Sequence, residues 1–153
     1  MKLTRIIASL LLLIMSTSSL FAGAVLDVVK SDIVINQKVK RDYIPLTNIG
    51  NESGTFIVQV KNVTDPKHII TYSNSELKKL PVIISPILIR NLGAGNNKRI
   101  SVRAKGKITE PMKLQLVISE YKKSADDKTE VADDAAGIDV QGSIHYIANI
   151  AIS

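Results

Sequence analysis

Apolar and polar residues alternate with a period of two along much of the chain. The alternation is clear over residues 56–61, 99–105, 112–119 and 138–152. Successive side chains of a β-strand point to opposite faces of its sheet, so this pattern predicts half-buried strands. No stretch shows the 3.6-residue period of an amphipathic helix.

Further strands are indicated by segments rich in Val and Ile, at residues 28–35, 39–47, 68–72 and 82–89. The last of these is apolar on both faces. Pro45 lies inside the second and has no N–H for a ladder hydrogen bond, so that strand should lie at an edge or be bulged there.

Clusters of turn-forming residues separate these segments. They occupy residues 48–54 and 92–97, and residues 73–79 suit a loop or a single helical turn. Short strands divided by regular turns favour an all-β fold. We therefore expect an immunoglobulin-like antiparallel β-sandwich of about seven strands.

The amino terminus has the pattern of a secretory signal peptide. Lys2 and Arg5 precede an apolar run at residues 6–15, and Ala22-Gly23-Ala24 matches a signal-peptidase site. The run is shorter than the roughly 20 residues that a membrane-spanning helix needs. We expect a signal peptide at residues 1–24, cut after Ala22 or Ala24, and one periplasmic domain at residues 25–153 without stable membrane insertion.

Composition argues against several classes of function. The net charge is only +6, aromatic residues make up 4% of the chain, and export also disfavours a nucleic-acid partner. His68 and His145 have no further ligand at a metal-binding spacing, so we expect no metal and no cofactor. No nucleophile–base constellation is visible, which argues against an enzyme.

Two polar features need an interpretation. Residues 124–136 contain five acidic side chains against one lysine, which is typical of a mobile loop. Arg99, Arg103, Lys105 and Lys107 share one parity of a predicted strand and the residues after it. They form either a solvated sheet face or a surface for an acidic partner or a carboxylate.

The order of these features resembles the amino-terminal domain of periplasmic pilus chaperones. Segment 84–95, ISPILIRNLGAG, is similar to the family's proline-containing strand and its Leu-x-x-Gly turn. Residues 45–50 resemble the family's second strand and the turn after it. A strand at residues 112–121, a loop and a long alternating strand follow, so the resemblance spans residues 26–152.

The resemblance implies a donor strand. Members of this family fill the groove of an incomplete pilus subunit with alternating apolar side chains of their last strand. In this chain the residues would be Ile138, Val140, Ile144 and Tyr146. The partner would be a pilus or surface subunit, and an outer-membrane usher is a second candidate partner. The same parity could instead face the domain's own core; Ala148, Ile150 and Ile152 are expected to do so.

The sequence departs from the family in two respects. The family anchors the subunit's terminal carboxylate with Arg and Lys, but the first position falls near Asp32. The last strand offers only His145 and Asn149 as sizeable polar side chains. In addition, the chain stops where the family's second domain begins. An alternative is therefore a secreted structural subunit or binding module with an immunoglobulin-like fold.

Overall fold

Two β-sheets packed face to face form the domain. The computed structural model describes residues 23–121 and 144–153. Within these residues the strands are β1 (Leu26–Asp27), β2 (Asp32–Ile35), β3 (Arg41–Asn48), β4 (Gly54–Asn62), β5 (Ile70–Tyr72), β6 (Val82–Ser85), β7 (Leu88–Leu92), β8 (Asn97–Ala104), β9 (Met112–Glu120) and β10 (His145–Ile152). One short helix, α1 (Asn74–Leu77), lies between β5 and β6.

The first sheet has the strand order β1-β3-β8-β6. The second has the order β2-β10-β9-β4-β5, and β7 also pairs with β4. The described strand pairs are antiparallel except β2 and β10, which run parallel. The predicted all-β, immunoglobulin-like sandwich is confirmed.

The core lies between the sheets and is built from one parity of each strand. Burial alternates residue by residue along β3, β4 and β9, as a sheet with one wet face requires. The largest fully buried side chain is Phe56, and most of the others are Ile, Leu or Val. Close packing of branched aliphatic side chains therefore holds the sheets together in a chain without cysteine.

The described residues contain ten strands where about seven were expected. Of the predicted segment 28–35, only residues 32–35 form a strand, β2, and an additional short strand, β1, precedes the segment and belongs to the other sheet. The segment 82–89 forms β6 in one sheet and then β7 in the other, with a cis peptide bond between Ser85 and Pro86 at the crossing. Residues of one parity face the core in β6, and residues of the other parity face it in β7. Apolar residues therefore occur at both parities of the segment.

β3 is an inner strand and not the edge strand predicted from Pro45, but it is unpaired on one side at Pro45 in the described residues. Pro45 pairs with Arg99 of β8 on one side, whereas β1 pairs only with Thr47 and Asn48 on the other. The missing N–H of the proline therefore leaves no ladder hydrogen bond unmade.

The single helical turn suggested for residues 73–79 is also present. Ser73 and Glu76 form a capping box, in which each side chain satisfies the other residue's backbone.

Candidate partner-binding edge

In the described residues, the amino-terminal half of β10 is paired on one side and open on the other. β10 pairs with β9 along its whole length, from His145 to Ile152. On its other side β2 covers only Asn149 to Ile152. No strand among residues 23–121 and 144–153 pairs with the remaining stretch, residues 145–148, on that side. We call this stretch the open edge.

Backbone direction shows which groups the open edge presents. The N–H of Asn149 donates to the carbonyl of Ser31 at 2.6 Å, and the N–H of Ser153 donates to Ile35 at 3.0 Å. Odd-numbered residues of β10 therefore direct their backbone groups toward the β2 side. Since the direction alternates along a strand, His145 and Ile147 direct their N–H and C=O groups to the open edge.

Two large apolar side chains are exposed beside the open edge. Ile144 is 64% exposed and Ile147 is 50% exposed. Ile147 pairs across the sheet with Val117, which is half-buried on the same outer face. Natural sheets usually avoid exposed apolar side chains at an unpaired edge, so this stretch is a candidate partner-binding surface.

The predicted donor residues are placed differently from one another. Ile144 is exposed directly before β10, whereas Tyr146 is half-buried and packs against the core. Ile138 and Val140 lie outside the described residues. Ala148, Ile150 and Ile152 are buried, as predicted for the residues that close the domain's own sheet.

Sequence reasoning missed Ile147. Its parity is otherwise polar or small in β10, with His145, Asn149 and Ala151. The signal is one large apolar residue on the exposed parity of β10, whereas the sequence pattern favours the long apolar row on the other parity as the partner surface.

Tyr146 ties the open edge to the start of the domain. Its hydroxyl accepts a hydrogen bond of 3.0 Å from the backbone N–H of Leu26 in β1. Leu26 belongs to one sheet and Tyr146 to the other, so this hydrogen bond links the two sheets. Tyr146 is thereby held against the domain's own core, whereas the backbone groups of His145 and Ile147 meet no further strand in the part of the chain that the structure describes.

Asp32, which the resemblance puts near the chaperone family's carboxylate-anchoring position, is bound to a neighbouring strand. Asp32 and Asn149 are register partners in β2 and β10, and the amide of Asn149 donates to the Asp32 carboxylate at 2.9 Å. This bond, with a second from the Ser31 hydroxyl, lowers the pKa of Asp32 below its ordinary value. An ionised Asp32 repels a carboxylate, so this pair does not replace the family's anchor.

Neither histidine has the surroundings of a metal ligand. The Nδ1 atom of His145 lies 2.7 Å from the Ser119 hydroxyl, and that of His68 lies 2.8 Å from the Asp65 carboxylate. In the described ranges no group of three His, Cys, Asp or Glu residues is placed to hold a metal ion.

The basic residues of β8 and its end do not act as one surface. Arg99 and Arg103 are exposed on the outer face of the first sheet, and Arg99 lies over the ring of Tyr43 at 5.5 Å. Lys105 turns away and donates to the backbone carbonyl of Lys78. This arrangement fits the solvated-face interpretation better than a focused anion site.

Within residues 23–121 and 144–153, no helix has the length and apolarity required to cross a lipid bilayer.

Comparison with known proteins places the fold among periplasmic pilus chaperones. A chaperone–tip adhesin complex of CFA/I fimbriae biogenesis matches with a TM-score of 0.60 at 14% identity, covering 85% of this chain and 55% of that one. The CsuC–CsuE chaperone–tip adhesin complex of Acinetobacter baumannii matches with a TM-score of 0.56 at 13% identity, over 86% and 56% of the two chains. The predicted resemblance to pilus chaperones is thus confirmed at the level of the fold.

The chain spans about half the length of these chaperone structures. A different neighbour, the C. elegans MSP family member WR4, has a TM-score of 0.54 at 11% identity and is covered over 100% of its length. No family model matches the sequence, and a search of curated proteins found no match. Identities this low establish a shared fold and leave function to be argued from the site.

Proposed function

We propose that this chain is a periplasmic chaperone-like domain that binds pilus or surface subunits by adding the open edge of β10 to the subunit's sheet. The partner's strand would take up the backbone groups of His145 and Ile147. Ile144 would enter an apolar groove of the subunit. Ile138, Val140 and Tyr146 remain part of the proposed donor row, with Tyr146 contributing from its half-buried position.

The proposal rests on two features that occur together on β10 and the residue before it. Within the described residues, the backbone groups of His145 and Ile147 have no partner strand on the open side of β10, and exposed isoleucines stand at residues 144 and 147. In β-strand addition, main-chain hydrogen bonds supply affinity and alternate side chains supply specificity. The fold shared with chaperones found in complexes with tip adhesins supports a pilus subunit as the partner. We keep an outer-membrane usher as a further proposed partner.

A second candidate is a secreted structural subunit or binding module. It is favoured by the match to WR4, whose whole length corresponds to this single domain. The two candidates differ in what the open edge meets. One copy of a chaperone-like domain binds one incomplete subunit, whereas a structural subunit assembles with further copies of itself.

Replacing Ile144 with Asp tests the binding proposal. Burying an unpaired carboxylate in an apolar groove costs about 3 kcal/mol or more, so affinity for a co-expressed pilus subunit should fall at least about 100-fold. The isolated domain should keep its thermal midpoint, because Ile144 is mostly exposed. Val140→Asp should weaken binding in the same direction.

Ile70→Asp is the matched control, because Ile70 is 52% exposed on β5 at the opposite edge of the same sheet. It should leave subunit binding unchanged. Equal loss of binding in both variants, or unfolding of Ile144→Asp without a selective loss of binding, would show that residue 144 does not meet the partner.

A further inference from the structure

The first half of β8 has no partner strand on one of its sides. β8 pairs with β3 from Asn97 to Arg103. On the other side β6 covers only Ser101 to Ala104, because the chain crosses to the second sheet after Ser85 and continues there as β7. No strand of the described ranges pairs with residues 97–100 on that side. We call these four residues the β8 edge.

The backbone of β8 shows which groups this edge presents. The N–H of Lys105 donates to the carbonyl of Pro81, directly before β6, at 2.9 Å. The N–H of Ala104 points the opposite way and donates to the residue before β3, also at 2.9 Å. Since the direction alternates along a strand, Asn97 and Arg99 direct their N–H and C=O groups to the uncovered side. A strand added there would find a ladder ready to pair.

A polar groove of about 550 Å³ lies between the β8 edge and β7. Its lining carries two cations and no acidic side chain, and includes Pro86, Leu88, Arg90, Asn91, Asn97 and Lys98. Arg90 and Lys98 are exposed, and neither forms an ion pair with another residue of the described ranges. A groove lined by charges of one sign attracts a partner of the opposite sign.

A β-bulge places one of these cations. Leu92 of β7 pairs with Gly54 of β4 and Ile89 pairs with Phe56, so two residues of β7, 90 and 91, face the single residue Thr55. Asn91 has a φ of 49°, in the left-handed region that asparagine tolerates. Because of the extra residue, consecutive side chains at 90 and 91 are both exposed, and both line the groove.

We propose that the β8 edge binds an extended, acidic segment of another protein. The segment adds to the first sheet as an antiparallel strand in line with β6, and pairs with the backbone of Asn97 and Arg99. Its carboxylates point into the groove and bind Arg90 and Lys98.

Charge selects this partner. Lysine and arginine side chains on a strand edge disfavour pairing with apolar or basic strands, so the edge is specific for an acidic one. Unpaired backbone donors and acceptors favour a polypeptide over other polyanions, which have no ladder to offer. The β8 edge and the open edge of β10 belong to different sheets, so this site does not depend on the proposed function.

The probe for the test is a capped synthetic peptide in which aspartate and threonine alternate, titrated into the purified protein and followed by the NMR signals of its backbone amides. The amides of Asn97 and Arg99 should shift. A peptide with lysine in place of aspartate should not bind. Shifts confined to His145 and Ile147, or no binding of the aspartate peptide, would overturn the proposal.

Methylation of the peptide backbone tests the pairing itself. In an antiparallel strand whose aspartates point into the groove, the threonine N–H groups face β8 and the aspartate N–H groups face away. N-methylation of the threonines should therefore weaken binding at least about tenfold, and N-methylation of the aspartates should weaken it much less. Equal binding of the threonine-methylated peptide would show a general polyanion surface and would contradict strand addition.

A double substitution, Arg90→Gln with Lys98→Gln, tests the groove. Affinity for the aspartate peptide should fall about tenfold, because two charge-assisted bonds are lost. The thermal midpoint should stay unchanged, since both side chains are exposed. The matched control, Arg103→Gln with Lys113→Gln, removes the same charge from two exposed positions that do not line the groove. Equal losses in the two variants would show that only net charge attracts the peptide.

A second copy of this chain is the competing occupant, because residues 124–136 carry an acidic run of their own. Sedimentation of the protein without peptide distinguishes the two. A monomer supports the proposal, whereas a dimer that the Arg90→Gln and Lys98→Gln variant dissociates would overturn it. Ile144→Asp should leave binding of the aspartate peptide unchanged, so failure at this site and failure of the β10 proposal are separate results.

Discussion

Asn48 is a buried polar residue, and its side chain joins the turn after β3 to the amino-terminal segment and to β7. Its side-chain oxygen accepts from the N–H groups of Val25 and Gly50, at 3.2 and 3.0 Å. Its amide nitrogen donates to the carbonyls of Glu52 and Leu92, at 2.7 and 2.8 Å. Asparagine supplies two donors and two acceptor positions, so all four are used.

This role could be predicted only in part. The sequence marks residues 48–54 as a turn, and asparagine commonly bonds to the backbone two residues ahead, as it does here to Gly50. Its bonds to Val25 and Leu92 join segments that are distant in sequence. Those partners follow from how the sheets pack, which periodicity alone does not specify.

Replacing Asn48 with Ala should lower the free energy of unfolding by about 2–4 kcal/mol. The variant leaves buried backbone donors and acceptors without partners, and each unmade bond costs about 1–3 kcal/mol before relaxation. Urea unfolding measures the change. The exposed Asn97→Ala variant is expected to change stability by less than about 0.5 kcal/mol. Similar values for the two variants would argue against a structural role for Asn48.

At the level of elements, β10 shows what alternation can and cannot predict. The buried parity of Ala148, Ile150 and Ile152 was predictable, because a strand in a sandwich must turn one face to the core. The parallel pairing with β2 was not. It arises because the chain leaves the first sheet after β1 and joins the second as β2, and a sheet change leaves little trace in local sequence.

The direction of the Ile147 N–H allows the open edge to be blocked without disturbing the β9 ladder. Ile147→Pro removes that N–H, and proline is tolerated in edge strands whose N–H faces outward. We expect subunit binding to weaken at least tenfold, because a strand-addition hydrogen bond is lost and the proline ring occupies its place. The thermal midpoint should fall by only a few degrees.

Ile147→Ala is the companion variant, since it shortens the side chain and keeps the N–H. Its binding loss should be smaller than that of Ile147→Pro, as measured by isothermal titration with the same subunit. If the alanine variant loses as much affinity as the proline variant, the backbone group at residue 147 is not part of the interface.

At the scale of the whole molecule, the sandwich was predictable because period-two alternation, turn residues and the absence of a helical period all agree. The division of the strands between two sheets was harder to predict. The segment 82–89, apolar on both faces, could have been one fully buried strand, whereas its two halves serve different sheets. The sequence predicted a partner-binding site on the last strand, and the proposed site lies on that strand. The exposure of Ile147 could not be predicted, because it depends on which parity of β10 faces the core.

Amide hydrogen exchange of the domain, alone and bound to a co-expressed pilus subunit that lacks its last strand, tests the central claim most directly. Exchange reports the opening of individual backbone hydrogen bonds, so an unpaired edge and a paired one are distinguished residue by residue. In the free domain the amides of His145 and Ile147 should exchange rapidly, and in the complex both should be strongly protected. Protection of the β5 edge at Ile70–Tyr72, with His145 and Ile147 unchanged, would contradict the account.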